Sequence, residues 1–157
     1  MRLDLSGDGV IRQIKTREVF ASPEANDLIW EYANECSIPG IAKINPQAAM
    51  YDAMEATGML VCLGAFDGEA LVGFATLMIA VLPHYGVRAA TLESLFVAGR
   101  SRKKGFGALL IAAVEEYAIS KDCEAILYSA PAGGQLEQVL SARKSCIKTN
   151  TIFCNPL

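Results

Sequence analysis

The stretch Arg102-Lys103-Lys104-Gly105-Phe106-Gly107-Ala108 constrains this chain more than any other. An apolar run over residues 91–97 precedes it, and a helix-patterned segment from Gly105 to about Ser120 follows. Glycine has no Cβ, so the backbone at Gly105 and Gly107 can come close to a ligand. A helix start offers unpaired N–H groups and the positive end of its dipole. Strand, basic glycine-rich loop and helix, in that order, form a physical recipe for holding a pyrophosphate. The two better-known loops of this kind are absent. GxxxxGK[ST] finds no frame in the chain, and GxGxxG would need glycine where Leu110 stands. What remains is Arg-x-x-Gly-x-Gly, met by Arg102, Gly105 and Gly107.

The 157 residues suit one domain, over residues 1–157, with one sizeable core. A net charge of -3 disfavours nucleic acid and anionic membranes as partners. The five cysteines are scattered, with no CxxC pair, and His84 is the sole histidine, which argues against a Cys/His zinc site. We read the cysteines as reduced thiols and the protein as cytoplasmic. The N-terminal residues lack the apolar stretch of a secretory signal. The longest apolar run, residues 70–82, is too short to cross a bilayer.

Alternation predicts a first strand over residues 10–14. Ser22-Pro23-Glu24 starts a helix that runs to about Cys36. Asn45-Pro46-Gln47 starts a second, ending near Thr57-Gly58. Strands are expected over residues 59–66 and 71–81, joined by a hairpin turn at Asp67-Gly68, and then over residues 89–97. In the helix after the glycine loop, Phe106, Leu109, Leu110, Ala113, Val114 and Tyr117 fall on one stripe. A strand over 124–128, a short helix over 135–142 and a final strand over 147–153 complete the chain. Hairpins combined with one βαβ crossover imply an α/β chain with a mixed sheet and helices on its faces.

The segment Leu92-Glu93-Ser94-Leu95-Phe96-Val97, followed by Gly105-Phe106-Gly107, resembles the central motif of the GNAT superfamily of acyl-CoA N-acyltransferases. The resemblance extends over roughly residues 10–153, because hairpin, motif strand, helix and terminal elements come in the family's order. It implies a central, mostly antiparallel sheet with helices on both faces, and acetyl-CoA as cofactor. It also implies that the amides of Lys103, Lys104, Gly105, Phe106, Gly107 and Ala108 bind the coenzyme A pyrophosphate. Arg102 starts the motif, and Arg100, Lys103 and Lys104 add positive charge. Leu95, Phe96 and Val97 would pair with the pantetheine arm. A solvated basic loop is the plainer reading of the same cluster.

Acyl transfer to an amine needs a neutral nucleophile, a polarised thioester and a proton for the leaving thiolate. Glu93, the one acid on an apolar strand, is the candidate base, its pKa raised by burial or its carboxylate set at a cleft mouth. A solvated strand face would explain it as well. The tyrosine that many family members carry after the last helix is replaced here by Ser141. Cys146 and Tyr128 are the candidate proton donors, with water the alternative. His84 reads as an exposed loop residue or an acceptor contact. Trp30, with Ile29 and Tyr32 at helical spacing, reads as core or as a wall of the acceptor groove. Glu31 and Glu35 could favour a cationic acceptor or lie on a solvated face.

The resemblance therefore implies an N-acetyltransferase that passes the acetyl group to a primary amine by direct attack. The acceptor is a small molecule or a protein amine. A catalytically degenerate acyl-CoA-binding or regulatory protein of the same fold is the alternative. A nucleic-acid contact through residues 100–104 is disfavoured by charge and by the lack of aromatics within that cluster. Ile152-Phe153 is equally consistent with a homodimer contact and with an internal edge strand.

Overall fold

In a computed structural model, which describes residues 2–4, 9–38, 40 and 44–155, two long hairpins make the centre of the sheet. Strand β3 (Leu60–Asp67) turns back into β4 (Ala70–Leu82), with Gly68 left-handed at φ +60° as the tight turn demands. β5 (Val87–Val97) returns antiparallel to β4. β2 (Gly9–Ile14) lines the other edge of β3, and β1 (Arg2–Asp4) pairs with β2. β6 (Ala125–Tyr128) lies parallel to β5, from Ala89↔Ala125 to Leu92↔Tyr128. The six strands run in chain order and every pair but the last is antiparallel.

The parallel pair requires a crossover, and the long helix that begins at Phe106 supplies it. Here the helices are α1 (Thr16–Phe20), α2 (Asn26–Cys36), α3 (Ala48–Ala56), α4 (Phe106–Ser120) and α5 (Gln135–Ser141). The α4 stripe expected from spacing is the buried one: Phe106, Leu110, Ala113 and Val114 pack on Val61, Leu63, Ala75, Leu77 and Leu92. On the opposite face, Val19 of α1 and Leu28 of α2 join Cys62, Phe66, Phe74 and Phe96. Phe20 and Tyr32 meet Phe74 edge-on, at 5.5 and 5.2 Å between ring centres. Among the described residues, no helix is long and apolar enough to cross a membrane.

The structure departs from the sequence reading in four places. The helix expected from Ser22 begins as a 3-10 turn, Pro23–Ala25, before α2. Helix α1 and strand β1 were not foreseen. Five residues are too few to show a helical period, and α1 is held by its partners instead. Glu18 accepts from the Lys15 N–H at 2.9 Å, Glu55 of α3 accepts from the Thr16 N–H at 2.8 Å, and Arg17 pairs with Asp52 of α3. The final strand expected over residues 147–153 does not form. Residues 142–155 carry no strand, and Ile147 and Phe153 are 83% and 89% exposed. Alternation describes what a strand would bury, and no sheet edge has received this one.

Candidate active site

The end of β5 leads through a 3-10 turn, Gly99–Ser101, into the glycine loop. Lys103 is left-handed at φ +71° and Gly105 at φ +90°, directly before α4. These two reversals aim the loop's amides outward. Among the described residues, the N–H groups of Lys103, Gly105, Phe106, Gly107 and Ala108 have no protein acceptor, whereas that of Lys104 reaches the Ser101 carbonyl at 3.4 Å. The last three belong to the first turn of α4, which has no intrahelical acceptor to offer them. A Cβ built on Gly107 meets nothing within 4 Å, so the space beside it is open. Five free amides at the positive end of a fifteen-residue helix suit a diphosphate.

The basic side chains divide into two pairs. Arg102 is held by protein: its Nε donates to the Val97 carbonyl at 2.9 Å, its Nη2 to Glu35 at 2.7 Å, and it lies over the Phe96 ring. Lys104 pairs with Asp67 at 2.9 Å. Arg100 and Lys103 have no ion pair among the described residues. Glu31 accepts from the Gly99 N–H at 2.8 Å. Both α2 carboxylates weighed in the sequence thus fasten the loop to α2, instead of facing an acceptor.

The parallel pairing of β5 with β6 stops at Leu92↔Tyr128. Beyond it, β5 continues alone on that side to Val97. The Ala98 N–H donates to Val72 of β4, so by alternation the backbone groups of Leu95 and Val97 face away from β4, into the opening. Glu93 stands where this splay begins. Register shows why: Thr76 opposes Ser94 while Leu77 opposes Leu92, so Glu93 is the extra residue of a β-bulge. The bulge keeps Leu92 and Leu95 on the α4 face and puts Glu93 and Ser94 together on the other. Thr76 Oγ1 donates to Glu93 and lies 2.6 Å from Ser94 Oγ, and the Tyr51 hydroxyl donates to Glu93 at 3.3 Å.

Glu93 is exposed and borders two cavities of about 210 and 240 Å³. Phe20, Tyr32 and Tyr51 line the first, and Met50, Met54 and Met78 the second. Burial, then the Glu93 charge and hydrogen bond, push the Tyr51 phenol well above its usual range. Burial, with the same charge adding to it, pushes Tyr32 up to about 12. Both phenols stay protonated near neutrality and act as donors or aromatic walls. Nothing in the sequence marked Tyr51 or Thr76, which reach Glu93 only because α3 packs on β3 and β4 pairs with β5.

Tyr128 and Cys146 come together on the α4 face of the sheet. The Tyr128 hydroxyl donates to Glu115 of α4 at 3.0 Å, and Arg143 pairs with the same carboxylate at 2.8 Å. Burial, then the Glu115 bond, raise the Tyr128 pKa. Cys146 is half-buried, its N–H on the Arg143 carbonyl at 3.1 Å. Trp30 is 71% exposed, which corrects the core reading offered for it. The helical spacing was right, but α2 turns Leu28, Ile29 and Tyr32 inward. His84 is exposed in the β4–β5 turn, at the far end of that hairpin from the loop. Among the described residues, no cluster of His, Cys, Asp or Glu could hold a metal ion.

The fold is that of known acetyltransferases. The ribosomal-protein-alanine N-acetyltransferase from Brucella melitensis biovar Abortus 2308 superposes with a TM-score of 0.70 at 18% identity, covering 94% of this chain and 97% of that one. An aminoglycoside acetyltransferase from an uncultured soil metagenomic sample, in complex with sisomicin, gives 0.72 at 14% identity, over 95% and 96% of the two chains. AAC(6')-Iy, in complex with the bisubstrate analog CoA-S-monomethyl-acetylneamine, gives 0.65 at 21% identity, over 94% and 96%. No curated protein matches the chain in sequence. The model of the acetyltransferase (GNAT) family matches residues 25–134, which span the loop, the bulged strand and helix α4 together, and the chain belongs to that family.

Proposed function

We propose that this protein transfers an acetyl group from acetyl-CoA to a primary amine by direct attack, without a covalent enzyme intermediate. One observation carries the reading. A row of unpaired amides opens α4 beside a splayed strand pair, and a carboxylate stands at the point of splay. Acetyl-CoA supplies the acetyl group as a thioester. The amides of Lys103, Gly105, Phe106, Gly107 and Ala108 hold its diphosphate, with Arg100 and Lys103 adding charge. The edge of Leu95, Phe96 and Val97 directs the arm inward. Arg102 takes a positioning part, because its guanidinium is already engaged by Val97 and Glu35. Glu93 takes the proton of the ammonium, directly or through a water, so that the amine attacks as a free base. Holding amine and thioester together supplies most of the acceleration. Similar folds that carry acetyl to protein alanine or to aminoglycosides support an amine acceptor.

Tyr128 and Cys146 are the chain's candidate donors to the departing thiolate, with solvent the simpler source. A second reading, an acyl-CoA-binding protein without turnover, draws on the engagement of the Tyr128 hydroxyl by Glu115. Two measurements decide. Acetyl-CoA raises the melting temperature of the wild type and leaves that of Gly105→Glu unmoved. Thiol release over a panel of amines falls about 100-fold in Glu93→Gln, the usual loss for a general base. Stabilisation by acetyl-CoA with no thiol release on any amine establishes the second reading. Equal stabilisation of Gly105→Glu removes the cofactor site.

A further inference from the structure

We infer that the acceptor is a small amine with a single positive charge on an apolar arm, and not a polycation; this rests on the acetyl-transfer reading above. The two cavities share Asn45, Pro46, Tyr51 and Glu93 as their common wall. Among the described residues lining either cavity, Glu93 is the sole acid. The residues before α3 that line them, Ile44, Asn45, Pro46 and Gln47, carry no charge. The two acids of α2 that could have widened the negative field are spent on Gly99 and Arg102. A polyamine or aminoglycoside would bring several ammonium groups to a site with one carboxylate, and leave the others without partners as they lose water.

The walls complete the argument. On one side of Glu93 lie the rings of Phe20, Tyr32 and Tyr51, which attract a single ammonium group through their π-systems. On the other side Met50, Met54, Met78 and Leu60 form an apolar trough. Methionine adapts to an unbranched arm better than a branched side chain does. An alkylamine therefore sets its nitrogen at Glu93 and runs its chain along the methionines.

The test is thiol release from acetyl-CoA with propylamine to heptylamine, spermidine, an aminoglycoside and a tetrapeptide amide. The value of kcat/KM rises roughly fourfold with each added methylene, the discrimination that burying one CH2 gives. Spermidine and the aminoglycoside fall at least about tenfold below heptylamine, as stranded charges dictate. Met50→Glu puts a second carboxylate on the exposed rim of the trough. It narrows the spermidine-to-heptylamine gap by up to about fivefold, through a charge pair near the surface. A flat dependence on chain length, a preference for the polycations or the peptide, or no change of ratio in Met50→Glu overturns this inference and leaves acetyl transfer standing. No turnover of any amine, with acetyl-CoA still stabilising the protein, overturns both.

Discussion

Gly105 and Gly107 stand two residues apart and serve different purposes. Gly105 occupies a left-handed conformation that costs an L side chain roughly 1–2 kcal/mol. Gly107 has an ordinary backbone and open space where a Cβ would go. Gly105→Ala is therefore expected to lower stability by about that amount, read from urea unfolding. Gly107→Ala leaves stability unchanged or raises it by up to about 1 kcal/mol, since alanine is the better helix former. Its effect is expected in acetyl-CoA affinity, because the new methyl group enters the space proposed for the diphosphate. A matched loss of stability in both variants would contradict this division. Glu93 belongs to the same scale: the lone acid was visible in the apolar strand, but its neighbours Tyr51 and Thr76 were not.

Between α2 and the glycine loop, two contacts act as a latch. Glu31 holds the Gly99 amide, and Glu35 holds Arg102, which in turn holds the last carbonyl of β5. The latch fixes the loop against the strand edge without using the amides proposed to hold the diphosphate. Glu35→Gln is expected to raise KM for acetyl-CoA about fivefold with kcat little changed, matching an ion pair of about 1 kcal/mol at a partly exposed site. Melting temperature moves by a degree or two only. An unchanged KM would make the contact decorative. Neither acid could be assigned from the sequence, where both sit on a helix face with equal claim to solvent. Helix α4 was legible because its apolar stripe repeats for four turns, and the β3–β4 hairpin because Asp67-Gly68 permits so few conformations. Helix α1 was hidden, as its stability comes from Asp52 and Glu55 more than thirty residues away.

Across the molecule, burial sets the response to alkali. Tyr32, Tyr51 and Tyr128 all bind their protons more tightly in the folded chain, chiefly through burial and then through carboxylates beside them. A raised folded-state pKa stabilises below the unfolded value and is lost as pH climbs through the folded one. Tyr32, ordinary at 10.0 and raised to about 12, marks that window. Burial raises Cys36, Cys62 and Cys123 in the same way from 9.0, so stability is expected to begin falling near pH 9 and to fall steadily toward pH 12, measured as the urea midpoint. Tyr32→Phe makes the fall shallower. A midpoint unchanged between pH 10 and 12 would refute the coupling.

Sequence by itself determined the elements whose information is local: the glycine loop, the α4 stripe, the hairpin turn and the isolated acid of β5. Each follows from backbone freedom or from a periodicity that a few residues display. Tertiary structure decided what depends on register and on distant partners. One extra residue in β5 brings Glu93 and Ser94 to a single face, and no alternation count reveals a bulge, because the partner strand defines it. The free edge beyond Leu92, the pairing of Arg102 with Glu35 and the lack of a strand over residues 142–155 have the same origin. A side chain's pattern states what it prefers to bury, and only the packed chain states what is there to cover it.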